Sequence, residues 1–377
     1  MSAAVDPPEA ELVTPQPPPG GSGVTSSPTV ALVCPACGEA FAAGDVFCEA
    51  CGADLPPTVG PAPTPDPEEP DSLDEGLSLP TDRGITADPC PACGAAAIAV
   101  VEGYCGVCGM KQPAARDHTE ATADGVAAVT DRGQRHHRNE DAFAMAVTDD
   151  GQVVAVVCDG VSTTVDPDIA SQAASDAALA VLVAGGDLPA AYGAARDAVL
   201  ALSWVPDPRL GAPSCTFLAA VVDGSQVELA TLGDCRSMWL PADGTAGEPD
   251  TLTEDDSWAA EVIAAGTKTA EEAYADRRAH VITRWLGADA DPSWEARLSS
   301  FTAPGPGRLL LCSDGLWNYA ETAAEVAAAA VGEPDDLLST ARRLTDFANA
   351  AGGSDNITVL LVDLPRSSGH RSKGPAA

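Results

Sequence analysis

Four short apolar runs, VVAVVCDG (153–160), LAAVVDG (218–224), VELATLGD (227–234) and RLLLCSDG (308–315), each end in turn residues. Runs of this length, closed by Gly and Asp, predict strands. The Asp223-Gly224 pair sits between two of them and predicts a hairpin turn. Elsewhere small and apolar residues recur at three- and four-residue spacing. That period predicts helices over DIASQAASDAALAVLV (168–183), AAYGAARDAVLAL (190–202), TAAEVAAAAV (322–331) and DDLLSTARRLTDFANAA (335–351). The strands follow one another as a meander with helices before and after, not in strict alternation. This order predicts an α+β domain over 124–364, with antiparallel or mixed sheets covered by helices.

The flanks lack both periods. Residues 1–30, with PPEAELVTPQPPPGGSG, are expected to be disordered, because little apolar surface offsets the ordering entropy. Residues 55–87 read as an acidic Pro-rich linker and 365–377 as a disordered polar tail. Aromatics are only 4% of the chain, so the core must be built mainly from Ala, Val and Leu. The net charge of −36 argues against nucleic-acid binding, which needs a basic surface, and is compatible with divalent cations. Apolar runs are strand-length, so no membrane span is expected. The N-terminus shows no basic and apolar signal segment, which leads to the expectation of a cytoplasmic, reducing setting.

In that setting the cysteines point to metal. Cys34, Cys37, Cys48 and Cys51 form one CPACG…FCEACG set, and Cys90, Cys93, Cys105 and Cys108 form a second, CPACG…YCGVCG. Four thiolates in two knuckles suit one tetrahedral Zn²⁺, so zinc ribbons are expected at 31–54 and 88–111, each holding a structural ion; paired disulfides or redox knuckles are the alternative. The repetition marks an internal duplication. Cys158, Cys215, Cys235 and Cys312 lie in apolar or turn contexts without a Cys-x5-Arg arrangement, and are expected to be buried packing residues.

The remaining chemistry is carboxylate. Asp141 follows Asn-Glu, Asp159-Gly160, Asp234 and Asp314-Gly315 end apolar runs, and Asp355-Asn356 precedes ITVLLVDL. Converging carboxylates need a compensating cation, and all-oxygen ligation suits Mg²⁺ or Mn²⁺. One by one, each Asp-Gly is an ordinary turn signal.

In order, the pieces DRGQRHHRNEDAF, VVCDG, SCT, LGDCRSMWL, ITRWLG, LLLCSDGLW and GGSDNITVLLV resemble the metal-dependent protein phosphatase family (protein phosphatase 2C-like), over roughly 124–364. The resemblance implies two packed β-sheets flanked by helices, preceded here by the two ribbons, with a two-metal centre at one edge. It implies that Asp159 bridges two ions with help from the Gly160 carbonyl, and that Asp314 and Asp355 complete one shell. Glu140 and Asp141 would bind or orient metal-held waters, and Asn356 would contact phosphate or water. Asp234 would join Asp314 at a third metal, as in bacterial members. Two ions about 3.5–4 Å apart make a hydroxide available near neutral pH for in-line attack on phosphorus. The implied function is a serine/threonine protein phosphatase acting on phosphoproteins; from the modular layout alone, the ribbons and linkers are expected to recruit a kinase-pathway partner. A pseudo-phosphatase scaffold is the competing reading.

Three departures from the family pattern stand out, and the first two motivate that competitor. His136 stands where the family carries its phosphate-gripping arginine, flanked by Arg135 and Arg138, and any of the three is a candidate for the substrate phosphate. After Gly160 the chain reads VSTT in place of a glycine turn, and Asp255-Asp256 replaces the usual Asp-His.

Overall fold

The structure is a computed structural model that describes the backbone at 32–33 and 40–41, parts of 90–114, and 115–365 except 243–245. The expected disordered stretches 1–30 and 55–87, the tail beyond Pro365, and the four cysteines of the first ribbon lie outside the described residues. Among the described residues, no helix is long and apolar enough to cross a membrane.

Two short hairpins come first: β1 (Leu32–Val33) with β2 (Ala40–Phe41), and β3 (Val100–Val101) with β4 (Tyr104–Cys105). A 3₁₀ turn (Ala115–Asp117) leads into β5 (His118–Ala123), β6 (Val126–Asp131), β7 (Ala142–Val147) and β8 (Val153–Cys158). Helices α1 (Pro167–Val183) and α2 (Leu188–Leu200) precede β9 (Ser214–Cys215), β10 (Phe217–Asp223), β11 (Gln226–Leu232), β12 (Arg236–Pro241) and β13 (Asp250–Thr251). Then follow α3 (Trp258–Ala264), α4 (Ala270–Tyr274), β14 (Leu286–Gly287), β15 (Arg297–Thr302) and β16 (Gly307–Cys312). The chain closes with α5 (Asp314–Trp317), α6 (Ala323–Ala330), α7 (Leu337–Ala351) and β17 (Ile357–Leu364).

The strands form two antiparallel sheets, ordered β15-β11-β10-β8-β7 and β13-β12-β16-β17-β6-β5. The alternation of side chains along a strand explains the unbroken apolar runs, because both faces are covered. From β8, Val153, Ala155 and Val157 enter the core between the sheets with Leu218, Leu309, Leu311 and Leu360. The alternate residues Val154, Val156 and Cys158 pack under α1 and α2. On the other sheet, Leu310, Cys312, Val359 and Leu361 pack under α6 and α7. Cys158, Cys215, Cys235 and Cys312 are all buried, consistent with packing roles.

Three expectations need adjustment. The hairpin turn is Gly224-Ser225, since Asp223 still pairs with Gln226, and Gly224 takes the left-handed φ of 59°. Asp314-Gly315 opens α5 instead of ending a strand in a loop. The second sheet starts at His118, ahead of the expected 124, because polar HTEATA forms an edge strand fully paired with β6.

Candidate active site

The site forms where both sheets end. Register places Ala142 opposite Cys158, Arg236 opposite Cys312, and Ile357 opposite Asp131. The residues just beyond these pairs therefore share one edge of the domain. Asp141 ties the two sheets together there: its Oδ2 accepts from Ser313 Oγ and Thr358 Oγ1, each at 2.7 Å.

The 132–141 loop is held at both ends. Gly133 is left-handed (φ 72°), and a Cβ on it would lie 2.1 Å from the Asp355 carbonyl. At the other end Asn139 is fully buried; its amide donates to Thr130 Oγ1 (2.9 Å) and its Oδ1 accepts from Asp141 N (3.2 Å). Asn356 spans the loop. Its Oδ1 accepts from Glu140 N at 2.7 Å, while Nδ2 donates to the Arg132 and Arg138 carbonyls at 2.8 and 3.1 Å. With 2% exposure and every side-chain polar atom engaged, Asn356 clamps the loop.

Five aspartates converge on this edge. Asp159 is fixed by a two-way bond with Thr216, Asp159 N donating to Oγ1 (2.9 Å) and Thr216 N donating to the Asp159 carbonyl (2.7 Å). Next to it, a Cβ on Gly160 would stand 2.6 Å from the Pro167 carbonyl and 2.7 Å from that of Glu140, so only glycine fits. Asp314 Oδ2 accepts from Asn318 Nδ2 at 3.1 Å, and Asp355 Oδ1 from Asn356 N at 2.8 Å. The carbonyl of Asp234, a residue only 3% exposed, accepts from Trp317 Nε1 at 2.9 Å.

Burial and mutual repulsion dominate the electrostatics. Burial, then the charges of Asp141, Asp314, Asp355 and Asp234, hold the Asp159 carboxyl well above the usual range. Asp314 and Asp234 are raised well above it for the same reasons, and Asp141 is raised chiefly by burial. Burial, followed by the charges of Asp141, Glu140 and Asp234, pushes Asp355 up to about 7. Asp141 Oδ1 and Asp314 Oδ1 are buried without a hydrogen-bond partner. Orphaned oxygens in a crowd of like charges suit a hard divalent cation.

The cationic edge is less uniform than its sequence. Arg138 turns back: Nε donates to Glu140 Oε1 at 3.0 Å and Nη1 lies 3.3 Å from Asp168 Oδ1. His136 faces the aspartates, with Nε2 3.1 Å from Asp355 Oδ1 and Nδ1 3.9 Å from Glu140 Oε2. Arg135 and His137 are exposed. Glu140 is thus held by Arg138 on one oxygen and by Ser162 Oγ (2.5 Å) on the other. Ser162 belongs to the VSTT that replaces a glycine turn. The substitution supplies a hydroxyl that orients a carboxylate.

In the second ribbon, the ligand atoms of Cys90, Cys93, Cys105 and Cys108 all lie within 4.8 Å of one another. Cys90 and Cys108 stand 3.7 Å apart at sulfur and Cys93 and Cys105 3.9 Å, so these are thiols and not disulfides. Left-handed Gly94 and Gly109 close the knuckles by donating to the Cys90 and Cys105 carbonyls, each at 2.8 Å. The donor set fits one zinc ion.

A profile of the Protein phosphatase 2C family matches residues 130–358. The chain belongs to that family. A second profile, Double zinc ribbon, matches residues 34–109. Serine/threonine phosphatase stp of Listeria innocua is 31% identical over 252 residues, covering 62% of this chain and 93% of that protein. Serine/threonine protein phosphatase PstP of Mycobacterium tuberculosis is 31% identical over 245 residues, covering 63% of this chain and 44% of that protein. The solved M. tuberculosis PstP/Ppp structure superposes with a TM-score of 0.53 at 30% identity, over 64% of this chain and 98% of that one. The PstP catalytic domain solved with two manganese ions gives 0.51 at 30% identity, over 63% and 97%.

Within the phosphatase 2C fold, Asp255 and Asp256 serve as anchors. Asp255 takes a fork from Arg236 (Nη2 to Oδ2 2.6 Å), whose guanidinium lies 3.7 Å from the Trp317 ring centroid. Asp256, 1% exposed, accepts from Gly233 N (3.1 Å) and pairs with Arg297 (2.5 Å), tying down the segment that carries α3 and α4. Beside them opens a cavity of about 660 Å³ lined by Arg236, Glu261, Tyr274, Arg284 and Arg297 among others. Sequence reasoning missed Arg116 and Thr216, which bond the backbone of Asp141 and of Asp159, and Ser313 and Thr358, which bond the Asp141 carboxylate. Small hydroxyl residues in or beside apolar strands were the available signal for the last three. Arg116 carried none.

Proposed function

We propose that this protein is a metal-dependent serine/threonine protein phosphatase whose metal ligands are Asp159, Gly160, Asp314 and Asp355. Glu140 and Asp141 orient water at that centre, and Asp234 with Asp314 serves a third ion. The observation that carries this reading is the group of five aspartates at the joined sheet ends, two of them with orphaned buried oxygens. The phosphatase names of its relatives and the two manganese ions in PstP support it. When bound, Mn²⁺ or Mg²⁺ supplies a water of lowered pKa and neutralises charge on the phosphoryl oxygens.

The chain's own residues do the rest. Asn356 and Asn139 keep the 132–141 loop in one conformation, so the carboxylates are preorganised before substrate arrives. Ser162 and Arg138 hold Glu140 in orientation. His136 is the first of the cationic trio to face the centre, and Arg135, exposed on the same loop, provides a second contact for phosphate. Arg138 is committed to carboxylates and contributes positioning. The substrates are phosphoserine and phosphothreonine proteins of a kinase pathway, reached in the cytoplasm, with the zinc ribbons as the partner-recruiting module.

The test is phosphate release from a phosphothreonine peptide with Mn²⁺, with EDTA and Asp314→Asn as controls. Release that survives EDTA would refute the mechanism. Well-folded protein with no release would turn the reading toward a scaffold.

A further inference from the structure

Arg116 lies ahead of the phosphatase 2C match at 130–358, in the short turn that follows the second ribbon. Its guanidinium reaches into the back of the carboxylate site. Nε donates to the Asn139 carbonyl at 2.9 Å and Nη2 to the Asp141 carbonyl at 3.1 Å. The carbonyl between them, of Glu140, is taken by Ser171 Oγ at 2.5 Å and Gly160 N at 3.2 Å. Three successive peptide groups that carry the Asn139-Glu140-Asp141 side chains are therefore pinned from behind. The same guanidinium donates to the Asp168 carbonyl and Gln172 Oε1 at the start of α1, each at 2.9 Å. One side chain thus fastens the entry of β7 to the helix whose Pro167 packs on Gly160.

The turn is also fastened to itself and to the end of β6. Ala114 N donates to Asp117 Oδ2 at 3.0 Å, and Arg132 N donates to the Asp117 carbonyl at 2.7 Å. Two residues before Ala114, Gln112 is 6% exposed; its Nε2 donates to Cys90 Sγ at 3.4 Å and to the Met110 carbonyl at 2.9 Å. That carbonyl also accepts from Cys105 N at 2.7 Å. The bond from Gln112 to Cys90 is strongest when the sulfur is a metal-held thiolate, since a charged acceptor strengthens it.

We propose that Arg116 is a positioning residue for the phosphatase site and that, through Gln112, it makes divalent-metal affinity at that site depend on zinc in the second ribbon. The inference rests on the metal-centre reading above. Its test is calorimetric titration of Mn²⁺ into the full-length, zinc-loaded, manganese-free chain, alongside steady-state kinetics on a phosphothreonine peptide.

Arg116→Ala is expected to weaken Mn²⁺ binding roughly 10- to 100-fold, the range for residues that orient metal ligands. At saturating Mn²⁺ the KM for peptide should stay within about twofold of the unsubstituted chain, since Arg116 acts on metal ligands and not on substrate. Arg116→Lys keeps the charge but loses the fork, and should fall between; it carries the test if the alanine variant does not fold. Cys93→Ser with Cys108→Ser, which removes zinc from the ribbon, should weaken Mn²⁺ binding in the Arg116 chain and have no further effect beside Arg116→Ala.

Unchanged Mn²⁺ affinity in folded Arg116 variants overturns the positioning role. An equal ribbon effect in both backgrounds overturns the route through Arg116. An unsubstituted chain that binds no Mn²⁺ overturns the metal-centre reading itself, and this inference with it.

Discussion

The two metal-suited regions of the molecule are built in opposite ways. In the second ribbon four thiols from a 19-residue stretch, Cys90 to Cys108, crowd within 4.8 Å, carried among the described residues by two glycine-closed turns and the short β3–β4 pair. At the phosphatase edge five aspartates, spread from Asp141 to Asp355, are carried by strand ends rooted in two buried sheets. In the first, thiols set this close suit zinc, and in small ribbons of this kind the metal supplies the folding stability. The second is folded by its core and bears the repulsion of its carboxylates, which a cation relieves. On the reading proposed above, metal is structural in one region and functional in the other because the surrounding apolar surface differs.

Removing a carboxylate gives the sharpest test of that difference. Asp314→Asn or Asp159→Asn should lower peptide dephosphorylation by about 10²–10³-fold or more. The metal-free melting temperature should hold or rise, because burial and neighbouring charges disfavour these carboxylates. A ribbon cysteine should behave the other way. Cys105→Ser should release zinc and make the ribbon protease-sensitive, leaving the main melting transition of the phosphatase domain in place, as seen by limited proteolysis and calorimetry.

The repulsion also has a pH signature. Asp355 is raised from 3.8 to about 7 in the folded, metal-free protein, so the folded state binds the proton more tightly than the unfolded one. Its stabilising contribution is full below pH 3.8 and is lost as pH rises through about 7. The melting temperature of the metal-free chain, measured against Asp355→Asn, should therefore fall across that window, and saturating Mn²⁺ should abolish the fall. A smaller effect is expected at the loop clamp. Asn356→Ala leaves Glu140 N and two carbonyls without partners and should cost about 1–3 kcal/mol in urea unfolding. Smallest of all, Arg138→Ala should change KM for a phosphopeptide less than His136→Ala does, since Arg138 is turned toward Glu140 and Asp168.

Much of the fold was legible because both faces of the central strands are buried. That produces unbroken runs such as VVAVVC and RLLLC, whose β-branched or leucine-rich make-up and flanking turn residues mark them as strands. The edge strand β5, with its polar HTEATA, was not legible, because an edge needs pairing more than burial. Helices α3 and α4 were missed as well. They are short, and their hold on the domain comes from buried ion pairs such as Asp256 with Arg297. In the site, the aspartates announced themselves by their position after apolar runs. For Asn356 the resemblance implied a phosphate or water contact; its bonds to backbone groups more than 200 residues away in sequence were not legible.

By itself the sequence determined the strands, the main helices, the two cysteine modules and the order of the acidic residues, because burial period and ligand spacing are local properties. Which oxygens are orphaned, which arginine turns away, and which side chain pins the metal loop from behind were decided only in three dimensions. Those facts depend on directional contacts between segments far apart in the chain. Arg116 and Arg138 have the same side chain, and only the carbonyls and carboxylates that surround each one separate their tasks.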